Sequence, residues 1–217
     1  EGTLVSLAGW RVEWGALLGT ADEVVVFSKD SRAQMLAVFP GLEPQIVLRP
    51  HDLLVKVPKI ARPAGAARVV AVLGNIGYQK GAAVVAELGR MLEQHPDPGI
   101  KLVLIGNVDP AYMPPASVPV HGNYRLQDLP GLVARYGITD WLVPSVWPET
   151  FSYTTHEALA TGLPVYAFDI GAQGDAVEKA ENGRLIRFSA DGNLAQNVLK
   201  RLAQDDEQAA KDGHTGQ

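Results

Sequence analysis

A chain of 217 residues with 47% hydrophobic content can bury a large core, and its formal net charge of −5 argues against a surface that grips nucleic acid through phosphates. The absence of cysteine excludes disulfides and thiolate metal sites and is compatible with a reducing compartment. No apolar run approaches the roughly 20 residues that span a bilayer and no signal-peptide pattern opens the chain, so it reads as cytosolic; it starts at Glu1 without methionine, as a processed or truncated piece would.

In chain order, Trp10, Trp14, Leu17 and Leu18 predict a helix, "VVVF" (24–27) a strand, and residues 28–39 a second helix opened by a Ser or Asp cap. "PQIVLRPHDL" then leads into the Pro-, Ala- and Gly-rich "VPKIARPAGAAR", which reads as a connector over residues 51–66. One strand with two helices cannot bury itself, so residues 1–50 are expected to be the tail of a truncated Rossmann-like domain. From 67 to 204, short β-branched runs alternate with helical patterns. The runs are 69–73, 101–105, 118–121, 141–144, 164–168 and 184–188, and most carry few polar residues, as strands covered on both faces do. Between them, Val84, Leu88, Met91 and Leu92, and then Leu129, Leu132, Val133 and Tyr136, each make one apolar helix face. The fold class expected is α/β, a Rossmann-like parallel sheet with helices on both faces. Residues 205–217 are polar and expected to fray.

Three stretches could carry chemistry. In "LGNIGYQKGAAVV", strand 69–73 runs into Gly74 and Gly77, and Lys80-Gly81 open the next helix. Glycines there let backbone amides approach an anion and Lys80 adds a mobile cation, although neither the Walker A nor the G-x-G-x-x-G spacing is met. An ordinary tight strand-to-helix turn is the competing reading. The second stretch is "PSVWPETFSYTTHEALATGLPV" (144–165), where Glu149 falls in a loop and a helix starts near Phe151 to Thr154 and stops at Gly162. Its free amides, with the hydroxyls of Ser152 and Thr154, face the carboxyl ends of the strands, where open α/β sheets bind ligands. Glu149 lies just before this anion site and Glu157 about one turn inside it. Ionised carboxylates only accept hydrogen bonds, so both suit the hydroxyls of a sugar or a ribose. In the third, Asp169, Gly171 and Gly174 form either a loop closing the same site or a plain strand-to-helix connection. His51, His121 and His156 have no metal-ligand spacing, and no metal is assigned. His121, with Gly122, Asn123 and Tyr124, ends a strand on the ligand side and is a candidate for touching a base or sugar.

Pro144 to Val165 resembles the signature of retaining glycosyltransferases of family 4, which have two Rossmann-like domains in the GT-B arrangement and hold the donor in the second. The matching residues are Pro144-Ser145, Glu149, Glu157, Ala160, Gly162, Pro164 and Val165. The resemblance implies that Glu149 contacts the donor sugar, Glu157 the ribose, and the amides of Thr150, Phe151, Ser152, Tyr153 and Thr154 the diphosphate. Upstream, Lys80-Gly81 match the family's phosphate loop, whereas Asn75 stands where an arginine is usual and cannot supply its charge. Glycine-rich loops of this kind with "W-P-E-T-F-S-Y" downstream are similar to those of bacterial polysaccharide and O-antigen enzymes.

What the resemblance implies is the donor-binding part of a hexosyltransferase that acts with retention, moving a hexose from a nucleotide diphosphate sugar to a glycan or lipid-linked acceptor in cell-surface polysaccharide synthesis. Its catalytic residues are then Glu149 and Lys80. Its donor-binding residues add Gly74, Asn75, Gly77, Gly81, Gly122, Tyr124, Thr150, Phe151, Ser152, Tyr153, Thr154 and Glu157. No cofactor, metal or nucleic-acid partner is expected, and the acceptor meets a first domain that this chain mostly lacks, leaving the fragment alone inactive. The expected location is cytoplasmic, with peripheral contact at the inner face of the membrane. The other readings are a GT-B-like nucleotide-sugar epimerase or phosphorylase and a non-catalytic nucleotide-binding module.

Overall fold

The computed structural model describes residues 6–63, 67–94 and 99–214. A first unit holds α1 (Leu7–Leu18), β1 (Val24–Val26), α2 (Lys29–Val38) and β2 (Ile46–Leu48), with β1 and β2 paired in parallel. Ser28 caps α2 as expected, its Oγ accepting from the Ser31 amide. The strand β2 was not expected from the sequence; three apolar residues between Pro44 and Pro50 are too few to show a period. Helix α1 buries none of its residues, and Leu7, Trp10, Val12, Trp14 and Leu17 are all exposed.

The second unit contains β3 (Arg68–Leu73), α3 (Ala82–Gln94), β4 (Ile100–Ile105), α4 (Leu129–Tyr136), β5 (Asp140–Val143), α5 (Tyr153–Thr161), β6 (Val165–Phe168), α6 (Gly171–Lys179), β7 (Gly183–Ile186) and α7 (Leu194–His214). Its five strands are all parallel, in the order β4-β3-β5-β6-β7. Alternation sorts their side chains between two cores. Ala71, Leu73, Val103, Ile105, Trp141, Val143, Val165 and Ala167 face α4 and α5. Val70, Val72, Leu102, Leu104, Leu142, Tyr166 and Phe168 face α3 and α7. The apolar faces of α3 and α4 pack as their spacing requires, and Gly137 and Gly162 end α4 and α5 in the left-handed region. Because β3 connects to β4 on one side while its other neighbour β5 connects to β6 on the opposite side, the connections leaving their carboxyl ends diverge and open a crevice there.

Two expectations are corrected. Residues 118–121 form no strand: Val120 makes a single bridge to Leu104, and Pro119 contributes its carbonyl but has no N–H with which to extend a ladder. Residues 205–214 continue α7 instead of fraying, while 215–217 lie outside the described residues. The reason is electrostatic. Arg68 donates to the fully buried Asp140 (Nε–Oδ2 3.1 Å), to the Leu202 carbonyl (2.7 Å) and to Tyr166 Oη (2.8 Å), and it pairs with Asp206 (3.0 Å). Tyr166 in turn donates to Asp205, which also binds Arg201. Acidic residues that look like a solvated tail therefore satisfy basic groups at the amino end of the sheet. The connector is strapped to the second unit as far as it is described: Val57 is buried, the Ile60 amide donates to the Thr161 carbonyl (2.8 Å), and Arg62 pairs with Asp140 (3.3 Å). Residues 64–66 of the connector lie outside the described residues.

The three glycines of the loop after β3 are not equivalent. Gly74 and Gly81 have φ of +112° and +81°, and a Cβ on Gly81 would stand 2.0 Å from the Pro144 carbonyl oxygen. Gly77 has no positive φ, and nothing lies within 4 Å of where its Cβ would be. Urea unfolding is expected to show Gly81→Ala destabilised by more than about 2 kcal/mol, because left-handed strain and the clash act together. Gly77→Ala should stay within about 0.5 kcal/mol of the parent. Equal losses at the two positions would disprove this division of the loop.

Candidate functional site

The crevice is walled by the segments that follow β3, β4 and β5. After β3 the chain turns at Gly74, whose amide donates to the Ile105 carbonyl (2.9 Å) and which lies beside Thr154. It is latched to the loop after β5 by the Val146 amide, which donates to the Gln79 carbonyl (3.0 Å), and by the close seat of Gly81 on Pro144. Those contacts bring Lys80 Nζ to 3.8 Å from Glu149 Oε2. Ser145 Oγ donates to the other oxygen of Glu149 (2.5 Å). The Glu149 amide donates to Gln173 Oε1 (3.1 Å), Gln173 Nε2 donates to the Trp147 carbonyl (2.9 Å), and the Ala172 amide donates to the Glu149 carbonyl (2.8 Å). Gln173 is fully buried, so the loop that carries Glu149 is clamped from beneath.

Helix α5 starts beside this loop. Ser152 occupies its cap position but makes no capping bond; its buried Oγ accepts from Thr155 Oγ1 (2.8 Å). The first-turn amides of α5 are therefore left without a side-chain cap, which is the polarity an anion requires. Glu157 sits about one turn in, half-buried. Burial raises its pKa above the usual carboxylate value, and the charge of Lys80 partly offsets the rise. Tyr124 is pushed up to about 12 by burial and then by the charge of Glu157, so it stays a neutral phenol.

A hollow of about 380 Å³ is lined by Gly74, Asn75, Lys80, Asn123, Tyr124 and Thr154. Five of these are among the expected donor residues, and Glu149 and Glu157 are coupled to the group through Lys80. Other expected residues lie outside this lining or have side-chain contacts of their own. Gly77 and Gly81 do not line the hollow, and Gly122, at φ +84°, donates its amide to the Gly106 carbonyl (3.0 Å). Thr150 is exposed. The ring of Phe151 stacks on His156 (4.4 Å between centroids), and Tyr153 stacks on His51 (5.8 Å). His121 is hydrogen-bonded to Tyr136 (3.1 Å). Asp169, Gly171 and Gly174 form a strand-to-helix connection from β6 into α6 and do not line the hollow. Asp169 accepts from the Phe188 amide (2.6 Å), and Gly171 starts α6 with its Cα so close to the Glu149 loop that a Cβ would stand 2.5 Å from Pro148 Cα. Sequence reasoning missed Ser145 as a partner of Glu149 and Gln173 as the clamp, since a buried glutamine in a helix has no sequence signature.

A larger hollow of about 440 Å³ lies between α2, α6 and the loop after β5, but Asp30, Asp169, Asp175 and Glu178 line it and make it hostile to phosphate. Among the described residues no cluster of His, Asp and Glu could hold a metal ion, and no helix is long and apolar enough to cross a membrane.

The family described as "Glycosyl transferases group 1" matches residues 67–204. A D-inositol 3-phosphate glycosyltransferase of Corynebacterium efficiens is 30% identical over an alignment of 152 residues that covers 65% of this chain and 36% of that protein. Among solved structures, sucrose-phosphate synthase of Thermosynechococcus elongatus superposes with a TM-score of 0.64 at 24% identity, covering 89% of this chain and 52% of that one. An Anabaena protein in complex with UDP and glucose gives 0.61 at 20% identity, covering 94% and 59%. This chain thus spans about a third of the curated relative and roughly half of these neighbours. Its parallel sheet is shared with GT-B glycosyltransferases, and through the match over residues 67–204 the chain belongs to the glycosyl transferases group 1 family.

Proposed function

We propose that this chain is the donor-holding part of a retaining, family 4-type hexosyltransferase that takes its sugar from a nucleotide diphosphate sugar. The observation that carries the reading is the placement of Glu149 and Glu157 on either side of an uncapped helix start, with Lys80 opposite. An extended ligand with two hydroxyl-bearing ends and a diphosphate between them matches that order of groups. Glu149 accepts from the sugar hydroxyls, Glu157 accepts from the ribose, and the first amides of α5 with Lys80 meet the phosphates. The curated relative is a glycosyltransferase, and one neighbour was solved with UDP and glucose, which supports a donor of this class.

In the transfer the bond from the anomeric carbon to phosphate oxygen breaks, and the nucleoside diphosphate leaves with the electron pair. The acceptor hydroxyl forms the new bond and gives its proton to the leaving diphosphate, which carries the electron pair of the broken bond. Negative charge grows on the leaving diphosphate, so donors already aimed at it stabilise the transition state more than the ground state. Lys80 is held near Glu149 before the donor arrives, and the phosphates then compete for it. The acceptor is a growing glycan or lipid-linked sugar of cell-surface polysaccharide, met by a further part of the first domain that also covers the exposed face of α1. The reaction runs without metal or other cofactor, in the cytoplasm at the inner face of the membrane.

Calorimetry with UDP-, GDP-, ADP- and dTDP-glucose is expected to show binding of at least one donor, weakened about tenfold or more by Lys80→Ala. A folded chain that binds none of the four would sink the reading. A nucleotide-binding module without transferase function would bind the free nucleotides as well as the sugar nucleotides and be indifferent to Glu149→Gln.

Glu157 gives a second, pH-dependent outcome. Its folded-state pKa is raised, so the folded chain keeps this proton to higher pH than the unfolded chain. The corresponding stability is fully present below the unfolded carboxylate pKa and is lost as pH rises through the higher folded value. Near neutral pH, Glu157→Gln should therefore raise the melting temperature of the ligand-free chain by about 2 °C, and the gain should vanish near pH 4. The same variant should bind donor more weakly. A lower melting temperature at neutral pH would contradict the burial of charge at this position.

A further inference from the structure

Asn75, Asn107 and Asn123 stand at the carboxyl ends of three neighbouring segments: after β3, after β4, and after the Val120 bridge to β4. Asn107 Nδ2 donates to Asn75 Oδ1 (3.0 Å) and to Asn123 Oδ1 (2.6 Å), which uses both of its hydrogens. Each outer asparagine accepts through its oxygen and so keeps its own two N–H donors for something else. Those two side chains line the hollow together with Lys80, whereas Asn107 does not. The backbone holds the trio in register. The Ile76 amide donates to the Asn107 carbonyl (2.8 Å), and the Gly122 amide donates to the Gly106 carbonyl (3.0 Å), so the three segments are tied on either side of Asn107.

Charge explains why neutral donors matter here. Lys80 is the one cation among the residues lining the hollow, and it already lies 3.8 Å from Glu149. A diphosphate carries more negative charge than one partly engaged ammonium balances, so the remaining stabilisation must come from N–H groups aimed at its oxygens. An asparagine supplies them only with its amide nitrogen facing the ligand. Left free, it could as readily present its carbonyl, which repels an anion.

We propose that Asn107 is a positioning residue for recognition of the donor's diphosphate: it locks Asn75 and Asn123 with their N–H groups outward, and the pair completes what Lys80 begins. The inference rests on the nucleotide-sugar reading above. It assigns no contact between Asn107 and the ligand; its effect passes through the two neighbours.

Two substitutions of this exposed side chain separate orientation from charge. Asn107→Leu removes the donors and frees both neighbours. Asn107→Asp can only accept, so it turns both neighbours round and presents their carbonyls to the hollow. With the 217-residue chain, calorimetry is run with UDP, GDP, ADP and dTDP and with the corresponding nucleosides. The expected result is that the preferred diphosphate binds about tenfold more weakly to Asn107→Leu and more weakly still to Asn107→Asp. The matching nucleoside should change less than about twofold, since it has no phosphate to lose contacts. Salt raised to about 0.3 M screens simple repulsion by a new carboxylate but does not restore lost donors, so the Asp variant should stay weak relative to the parent under the same conditions. If the Leu variant binds like the parent and salt brings the Asp variant level with it, the positioning role is overturned while the donor reading stands. If the parent chain binds none of the four diphosphates, the donor reading fails and this inference falls with it.

Discussion

The seat of Gly81 on the carbonyl oxygen of Pro144 is the contact on which the rest of the candidate site depends. A parallel sheet delivers its loops to one edge but does not fix them relative to one another. Here the backbone after β3 presses directly on the backbone after β5, with no side chain between them, and the Gln79 carbonyl takes the Val146 amide a short distance away. Lys80 precedes the seat and Glu149 follows five residues after Pro144, so their 3.8 Å approach is set by backbone packing more than by mutual attraction. At 3.8 Å, and with Lys80 partly in solvent, their attraction is too weak to fix the two loops by itself. Gln173 extends the same logic from below, replacing water at two backbone groups of the Glu149 loop with bonds from a buried side chain.

The two ends of the sheet are treated differently. At the amino end, Asp140 is fully buried and is answered by Arg68, Arg62 and Thr139, while α7 brings Asp205 and Asp206 to the same group. Removing one partner from such a group leaves an uncompensated buried charge, which makes this end rigid. At the carboxyl end the polar groups are satisfied only in part, and the N-terminal turn of α5 lacks a cap. The donors that one end uses internally are those that the other end keeps available to a ligand.

Much of this was legible in the sequence, for reasons that also explain what was not. Strands β3 to β6 are short apolar runs buried on both faces over most of their length, and α3 and α4 carry regular apolar faces, so the fold class was legible from their pattern. The helix start between Glu149 and Glu157 was visible through Pro148, Gly162 and Pro164. Gly74, Gly77 and Gly81 looked alike because composition does not report φ; only the first and last have it positive. The acidic residues of α7 looked like a solvated tail because their partners lie far away in the chain: Tyr166 is 39 residues from Asp205. The asparagine trio was hidden for the same reason, its members being separated by 32 and 16 residues. Long-range polar pairing leaves no period behind.

The first unit lies against the second where α2 packs on α6, and a cap and a row of rings add ties beside that packing. Asp175 of α6 accepts from the Lys29 and Asp30 amides at the start of α2 (2.8 and 3.3 Å), an N-terminal cap supplied from the other unit. Phe27 at the end of β1 packs on His51 of the connector (4.0 Å between centroids), which reaches Phe151 (5.1 Å) and Tyr153 (5.8 Å) at the start of α5. A helix cap is worth about 1 kcal/mol, and an aromatic pair about 0.5–1.5 kcal/mol beyond its buried area. Breaking the cap and the ring contacts therefore costs a few kcal/mol, which a ligand can match by binding one arrangement of the α5 start some hundredfold better than another. The rings that meet across the junction belong to the segment whose amides face the crevice. A shift of the first unit thus acts directly on the start of α5, and binding there acts back on the first unit by the same free energy.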